Sequence, residues 1–328
     1  SHLPFHRFTE MLKMLPRLAW MGGHWSVYRY VANRVKSEKL RFALSFHPLF
    51  VGGDPFATTS FYALINHLEQ TRGVSYAMGG TGALVKAMAD LVGHVGGEIR
   101  YEAEVAEITC DGDRATGVTL ANGEALPADI VVCNADPATV YRRMLGKRPR
   151  KRWTDRKLDR MDYSMSVVVW YGGTDRRWED VLHHTVVLGP RYRGLIKDIF
   201  RKKIITDDFS MYVHRPSASD PSVAPEGGDA FYALVPVPNL DSGTDWATET
   251  PKFRDRIVKR LEETILPGLS QHIVTEHIVA PPYFRDRLSS ERGAAFGMEP
   301  QLLQSAWFHP HNKSEELDGL FFVGAGTH

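Results

Sequence analysis

The sequence has 328 residues, of which 43% are apolar and 24% charged, and it carries a net charge of +1. That length allows two domains or one with a large insertion, and the near-neutral balance removes any global electrostatic reason to bind nucleic acid. Cys110 and Cys133 are too few for a disulfide framework and suit a reducing compartment, and no apolar run reaches the ~18 residues of a membrane-spanning helix.

The opening residues, Ser1-His2-Leu3-Pro4-Phe5, lack a signal-peptide layout and an initiator methionine. They read as a cut chain, with ordinary processing as the alternative. Thr9 to Trp20 has helical apolar spacing, broken or kinked at Pro16. His24 to Ser37 is a second candidate helix. Gly52-Gly53-Asp54-Pro55 is a turn, after which Thr58 or Thr59 caps a helix through Phe61, Leu64, Ile65 and Leu68.

From residue 75 the character changes. Gly79-Gly80-Thr81-Gly82 leads into a helical run from Ala83 to Val92, with Thr81 the expected N-cap and Gly96-Gly97 the stop. Short strands are expected at Glu98–Tyr101, Val105–Thr109, Ala115–Leu120 and Ile130–Val132, with hairpin turns at Asp111-Gly112 and Asn122-Gly123. The last strand runs into Cys133-Asn134-Ala135-Asp136-Pro137. Residues 146–157 carry seven basic side chains and one aspartate. They read either as a solvated loop or as a patch for an anionic membrane surface. Beyond them, strands are expected at Ser164–Tyr171, His184–Leu188, Phe209–His214 and Phe231–Pro236. An amphipathic helix follows over Lys252–Ile265, with Phe253, Ile257 and Leu261 on one face.

No nucleophile elbow and no HExxH motif occurs. Adjacent histidines on a strand point to opposite faces, so His183 and His184 are not expected to share a metal, and no metal site is predicted. The glycine signals are individually ordinary. Together they are more telling: two glycine-led turns, Gly79–Gly82 and Gly324–Gly326, bracket a β-meander and a strand ending at Asn134-Ala135-Asp136. A strand followed by a Gly-x-Gly turn is the usual approach to a bound phosphate, because the backbone comes close with no Cβ in the way.

The segments Val51-Gly52-Gly53-Asp54-Pro55, Gly79-Gly80-Thr81-Gly82-Ala83-Leu84, Asn134-Ala135-Asp136, His183-His184-Thr185-Val186 and Gly189-Pro190-Arg191-Tyr192 resemble one family. So do Gln304 to Asn312 and Val323-Gly324-Ala325-Gly326-Thr327-His328. In order and spacing they are similar to the bacterial and fungal phytoene desaturases, the carotenoid-desaturating branch of the FAD-dependent amine-oxidase-like flavoproteins. His309 departs from the pattern, which has arginine there.

The resemblance implies a mixed α/β fold: an incomplete FAD-binding Rossmann-like domain of the amine-oxidase/glutathione-reductase type, with an inserted substrate domain of mixed sheet and helices. It divides the chain into a helical, membrane-associated region (1–74), part of the FAD domain (75–145), a substrate domain (146–305) and a return to the FAD domain (306–328). It further implies a strand-glycine-helix nucleotide unit and a closing helix that this sequence does not contain, so an internal portion of a longer enzyme is expected. By the same resemblance FAD is the cofactor, contacted by Gly79, Gly80, Val105, Asn134, Ala135, Asp136, Gly324, Gly326 and Thr327. Glu10 and Lys13, one helical turn apart, are the implied acid and base, or else a surface ion pair.

The implied substrate is an acyclic C40 carotenoid, held by apolar and aromatic side chains such as Phe61. The implied location is the cytoplasmic face of a membrane, with no nucleic-acid partner and the oligomeric state left open. A carotenoid ketolase, oxygenase or isomerase, or a catalytically inactive binding module, are the competing readings.

Overall fold

The computed structural model describes residues 8–327. Its elements run as helices α1 (Phe8–Trp20), α2 (Val27–Ala32), α3 (Glu38–Ser45), α4 (Ala63–Arg72) and α5 (Gly80–His94), then strands β1 (Val105–Asp111), β2 (Arg114–Leu120), β3 (Ala125–Pro127) and β4 (Val131–Cys133). Helices α6 (Pro137–Thr139) and α7 (Asp155–Arg160) precede β5 (Ser166–Thr174), β6 (His184–Val187), α8 (Tyr192–Lys197), β7 (Met211–His214) and β8 (Asp229–Val237). The chain closes with α9 (Trp246–Thr264), β9 (Ile273–Val279), α10 (Pro281–Leu288) and β10 (Leu320–Phe322).

These elements form two compact units. The first comprises the described residues up to Arg72, Glu102–Met165 and those from Phe284 onward; the second comprises Gly73–Tyr101 and Ser166–Tyr283. This differs from the division expected at residues 75, 146 and 306. Helix α5 groups with the later sheet instead of the meander that follows it in sequence. Two contacts hold its start there: the Gly79 amide donates to Asp220 Oδ2 at 2.6 Å, and the Tyr76 ring meets His183 edge-on at 4.9 Å.

In the first unit β1, β2 and β3 form an antiparallel meander, with Gly112 at φ 54° in the first hairpin. Glycine adopts that conformation with no Cβ penalty. Strands β4 and β10 pair in parallel, Leu320 with Val131 and Phe322 with Cys133. Around them lies a core in which Tyr141 and Trp153 stack at 6.0 Å, with Leu158, Leu320 and Phe322 fully or almost fully buried. The basic segment is a folded loop. The Glu316 carboxylate accepts the backbone amides of Lys151, Arg152 and Trp153 at 2.7–2.8 Å, while Arg150 pairs with Asp155 and Arg152 with Glu315.

The second unit holds a five-stranded antiparallel sheet in the order β6-β7-β8-β5-β9. One face is buried, with Trp170, Val213 and Ala233 at 0% exposure. Helix α9 covers this face by burying Phe253, Ile257 and Leu261, as their spacing predicts, and Arg254 reaches Glu276 on β9 at 2.9 Å.

Several local expectations fail for identifiable reasons. Helix α5 starts at Gly80, with Gly79 in the left-handed cap position, so Thr81 lies inside the helix and caps nothing. Thr59 does not cap α4, because its hydroxyl donates to Gly23 O at 2.6 Å. Helix α2 is shorter than residues 24–37: it ends at Ala32, and the Arg34 and Val35 amides both fold back to Val31 O. Glu98–Tyr101 forms no strand.

Candidate functional site

Because β4 and β10 are parallel, the loops that leave them emerge at the same edge. One loop is Asn134-Ala135-Asp136 and the other is Val323 to Thr327. The Val323 amide donates to Cys133 O at 3.0 Å, which carries the pairing to the lip of this edge. Gly324 stands at φ 96° with nothing within 4 Å of where a Cβ would be, so this turn presents bare backbone to open space. Gly326 is different: a Cβ there would lie 2.9 Å from Pro137 Cδ.

The polar side chains of this edge brace it. Asp136 caps α6 by accepting the Ala138 amide at 2.9 Å, and its other oxygen accepts the Glu291 amide at 3.0 Å. Burial pushes its carboxyl above the usual range, and those two amides oppose the push. The Thr327 hydroxyl donates to Gly324 O at 3.1 Å and accepts from Asn312 Nδ2 at 3.1 Å, closing the turn. Asn312 also donates to Phe322 O at 3.0 Å. Sequence reasoning did not single out Asn312, because its role depends on which strand lies beside it.

Val105 begins β1 opposite Leu120. The bridge Arg114–Asp318 is parallel, so β2 starts out in the direction of β10, and Val105 lies at the far end of that hairpin in a separate sheet. Asn134–Asp136 and Gly324–Thr327 share one edge, and Val105 belongs to the same unit. Gly79 and Gly80 belong to the other unit, and the Gly79 amide is already taken by Asp220. Lys13 is exposed on α1, whereas the Glu10 side chain lies outside the described residues.

A second feature crosses the sheet of the other unit. His184 faces His214, His214 faces Tyr232, Tyr232 faces Tyr171, and Tyr171 faces His277, one ring from each of the five strands. Directly opposed residues share a face, so the rings form a continuous row on the face away from α9. Successive centroids are 5.3, 4.8, 5.8 and 6.2 Å apart. Tyr171 is 44% exposed. Burial pushes the phenols of Tyr171, Tyr212 and Tyr232 up, so they remain neutral.

At the β6–β7 end of the row the histidines cluster. His183 and His184 ring centroids are 4.4 Å apart, contrary to the alternation expected of them. The reason is that His183 precedes the first residue of β6 and is not bound by the strand's alternation.

A third feature is a cavity of 570 Å³ in the helical part of the first unit, lined by Met21, Tyr30, Val31, Leu44, Phe61 and Leu64, among others.

Comparison with known proteins gives this architecture a family. The model of the flavin containing amine oxidoreductases matches residues 7–328. A phytoene desaturase (neurosporene-forming) of Rhodobacter capsulatus is 50% identical over 99% of this chain and 63% of its own length. A phytoene desaturase (lycopene-forming) of Pseudescherichia vulneris is 45% identical over 99% of this chain and 66% of its own length. Among solved structures, an oxidoreductase from Methanosarcina mazei superimposes with a TM-score of 0.63 at 17% identity, covering 98% of this chain and 68% of the other, a likeness of fold.

The chain belongs to the flavin containing amine oxidoreductase family, and its mixed α/β architecture is the expected one. It spans a little under two thirds of the length of the curated relatives it matches, 63% and 66% in the two above. FAD is the cofactor this membership supports. The strand-end edge fits it: open backbone at Gly324 admits a close approach, and Asp136, Thr327 and Asn312 hold the two loops at fixed positions.

Proposed function

We propose that the protein desaturates phytoene or a related acyclic carotenoid in an FAD-dependent reaction of carotenoid biosynthesis. The family membership and the 50% identity to a phytoene desaturase support this reading. The structural observation that carries it is the row from His184 to His277: five flat rings, no carboxylate, on one open sheet face. An apolar polyene offers almost no hydrogen-bonding handles, so its recognition must come from dispersion and aromatic contact. FAD supplies the hydride acceptor. The chain's residues bind and orient: Gly324 and Gly326 by backbone approach, Asn134, Ala135 and Asp136 by shaping the facing loop, and Val105 from β1. We assign Gly79 and Gly80 to the cofactor site only by family resemblance. Glu10 and Lys13 on α1 are proposed to exchange the proton that leaves with the hydride.

The helical start also suits a membrane surface, where a C40 substrate partitions. Trp20 is 87% and Leu12 45% exposed, beside exposed Lys13 and Arg17, a mixture that suits an interfacial helix. No helix among the described residues is long and apolar enough to cross a membrane. We place the protein peripherally on the cytoplasmic face. Sedimentation with liposomes that strengthens with anionic lipid is the expected result, and no binding at low salt would refute the placement.

The activity is tested by expressing the gene product that contains this sequence in phytoene-accumulating cells. Products that lose hydrogen in pairs, without gaining oxygen, are expected. Unchanged phytoene would overturn the proposal, and oxygenated or merely isomerised carotenoid would replace it with a ketolase, oxygenase or isomerase.

A further inference from the structure

We propose that His183, His184 and His214 form a binding site for a divalent first-row transition ion, zinc foremost, at the β6–β7 end of the sheet. One ring nitrogen from each lies within 4.8 Å of the other two. His183 Nε2 and His214 Nε2 are 2.8 Å apart. Tetrahedral zinc with bonds of about 2.0–2.1 Å separates its nitrogen ligands by roughly 3.3 Å. That pair must therefore open by about half an ångström, while the exposed His184 ring swings in.

The surroundings match what metal-binding imidazoles need. A ligating histidine has its second ring nitrogen fixed by a hydrogen bond, which sets the tautomer. His183 Nδ1 is 2.7 Å from Ser219 Oγ, and His184 Nδ1 is 2.6 Å from Tyr212 Oη. The first arrangement directs His183 Nε2 to His214, and the second engages His184 through Nδ1 and not Nε2. His214 Nδ1 is buried with no hydrogen-bond partner, so of the three imidazoles only those of His183 and His184 have the second nitrogen held. Three imidazoles and no carboxylate select zinc, copper, nickel or cobalt over calcium or magnesium. Three protein ligands leave a fourth position for water.

The alternative is a purely hydrogen-bonded chain, Ser219 to His183 to His214. The test requires neither flavin nor turnover, so it stands apart from the desaturase reading. The untagged chain, stripped with a chelator, is titrated with Co²⁺ and then Zn²⁺. One equivalent of Co²⁺ should give the visible absorption of a low-coordinate site, and Zn²⁺ should abolish it. His183→Ala, His184→Ala and His214→Ala should each weaken Co²⁺ binding by about tenfold or more. His277→Ala, at the far end of the same row, should leave binding unchanged. The exposed His184→Ala keeps the test valid if a variant at His214 fails to fold. Absence of stoichiometric cobalt absorption, or absorption that survives His184→Ala at full affinity, would overturn the site.

Discussion

Arg215 and Asp229 form an ion pair shut away from water: Nε donates to Oδ2 at 2.9 Å, with the two side chains 2% and 0% exposed. The pair joins three segments. Arg215 Nη1 donates to Val181 O at 2.7 Å, and Asp229 accepts the Trp178 amide at 2.9 Å and the Ser217 hydroxyl at 2.7 Å. It therefore fixes the end of β7, where His214 lies, against the start of β8. Removing Asp229 leaves the buried Arg215 charge facing only the exposed Glu179 carboxylate at 3.5 Å, which costs about 3–5 kcal/mol. Asp229→Ala should lower stability by that amount in urea unfolding. Replacing both residues, Arg215→Met with Asp229→Leu, should recover most of it. A loss below ~1 kcal/mol in the single variant would show that the pair is not the anchor.

Gly324 separates cofactor approach from packing. No atom among the described residues lies within 4 Å of its missing Cβ, so Gly324→Ala creates no overlap with them, and its penalty is the φ of 96°. That penalty is about 1–3 kcal/mol for a non-glycine residue. The variant of the full enzyme should fold yet lose flavin, read as flavin absorbance relative to protein after gel filtration. Undiminished flavin content would remove Gly324 from the cofactor edge.

What could be read from the sequence was local. The spacing of Phe253, Ile257 and Leu261 announced α9, and Asp111-Gly112 announced the first hairpin. The β-rich run Ser164–Tyr171 announced the interior strand β5. What could not be read depended on partners distant in the chain. The parallel pairing of β4 with β10 brings Asp136 and Gly324 to one edge, and nothing in either segment names the other. The five-ring row needs the register of four strand pairs at once. Strand β9 gave no signal because most of its residues are exposed and neither face alternates. Thr59 and Thr81 failed as caps because capping depends on geometry that residue type alone does not specify.

Asp220 should make the start of α5 sensitive to acid. The Ser222 hydroxyl and the Gly79 amide hold its carboxyl below the ordinary carboxylate range. A folded-state value depressed below the unfolded one gives a contribution that is complete above the unfolded value of about 3.9. It is lost as pH falls through the folded value. Amide-exchange protection of the peptide over residues 76–82 should therefore hold from neutrality to about pH 4 and fall below it. Asp220→Asn should reduce protection across the whole range. A protection profile identical to wild type in that variant would show that the carboxylate does not secure Gly79.

Tyr232 lies at the middle of the aromatic row and tests whether that face meets the polyene. Its ring centroid lies 4.8 Å from His214, 5.8 Å from Tyr171 and 5.7 Å from Tyr212. Removing it interrupts the row without touching the strand-end edge at Gly324, which belongs to the other unit. An aromatic contact is worth about 0.5–1.5 kcal/mol beyond its buried area, which corresponds to roughly two- to tenfold in binding. Tyr232→Ala in the complete enzyme should raise KM for the carotenoid by that factor, with flavin content intact. Tyr232→Phe should restore wild-type KM, because the ring and not the hydroxyl faces an apolar chain. If Tyr232→Phe were as impaired as Tyr232→Ala, the hydroxyl would be the functional group and dispersion against a polyene would no longer explain the row.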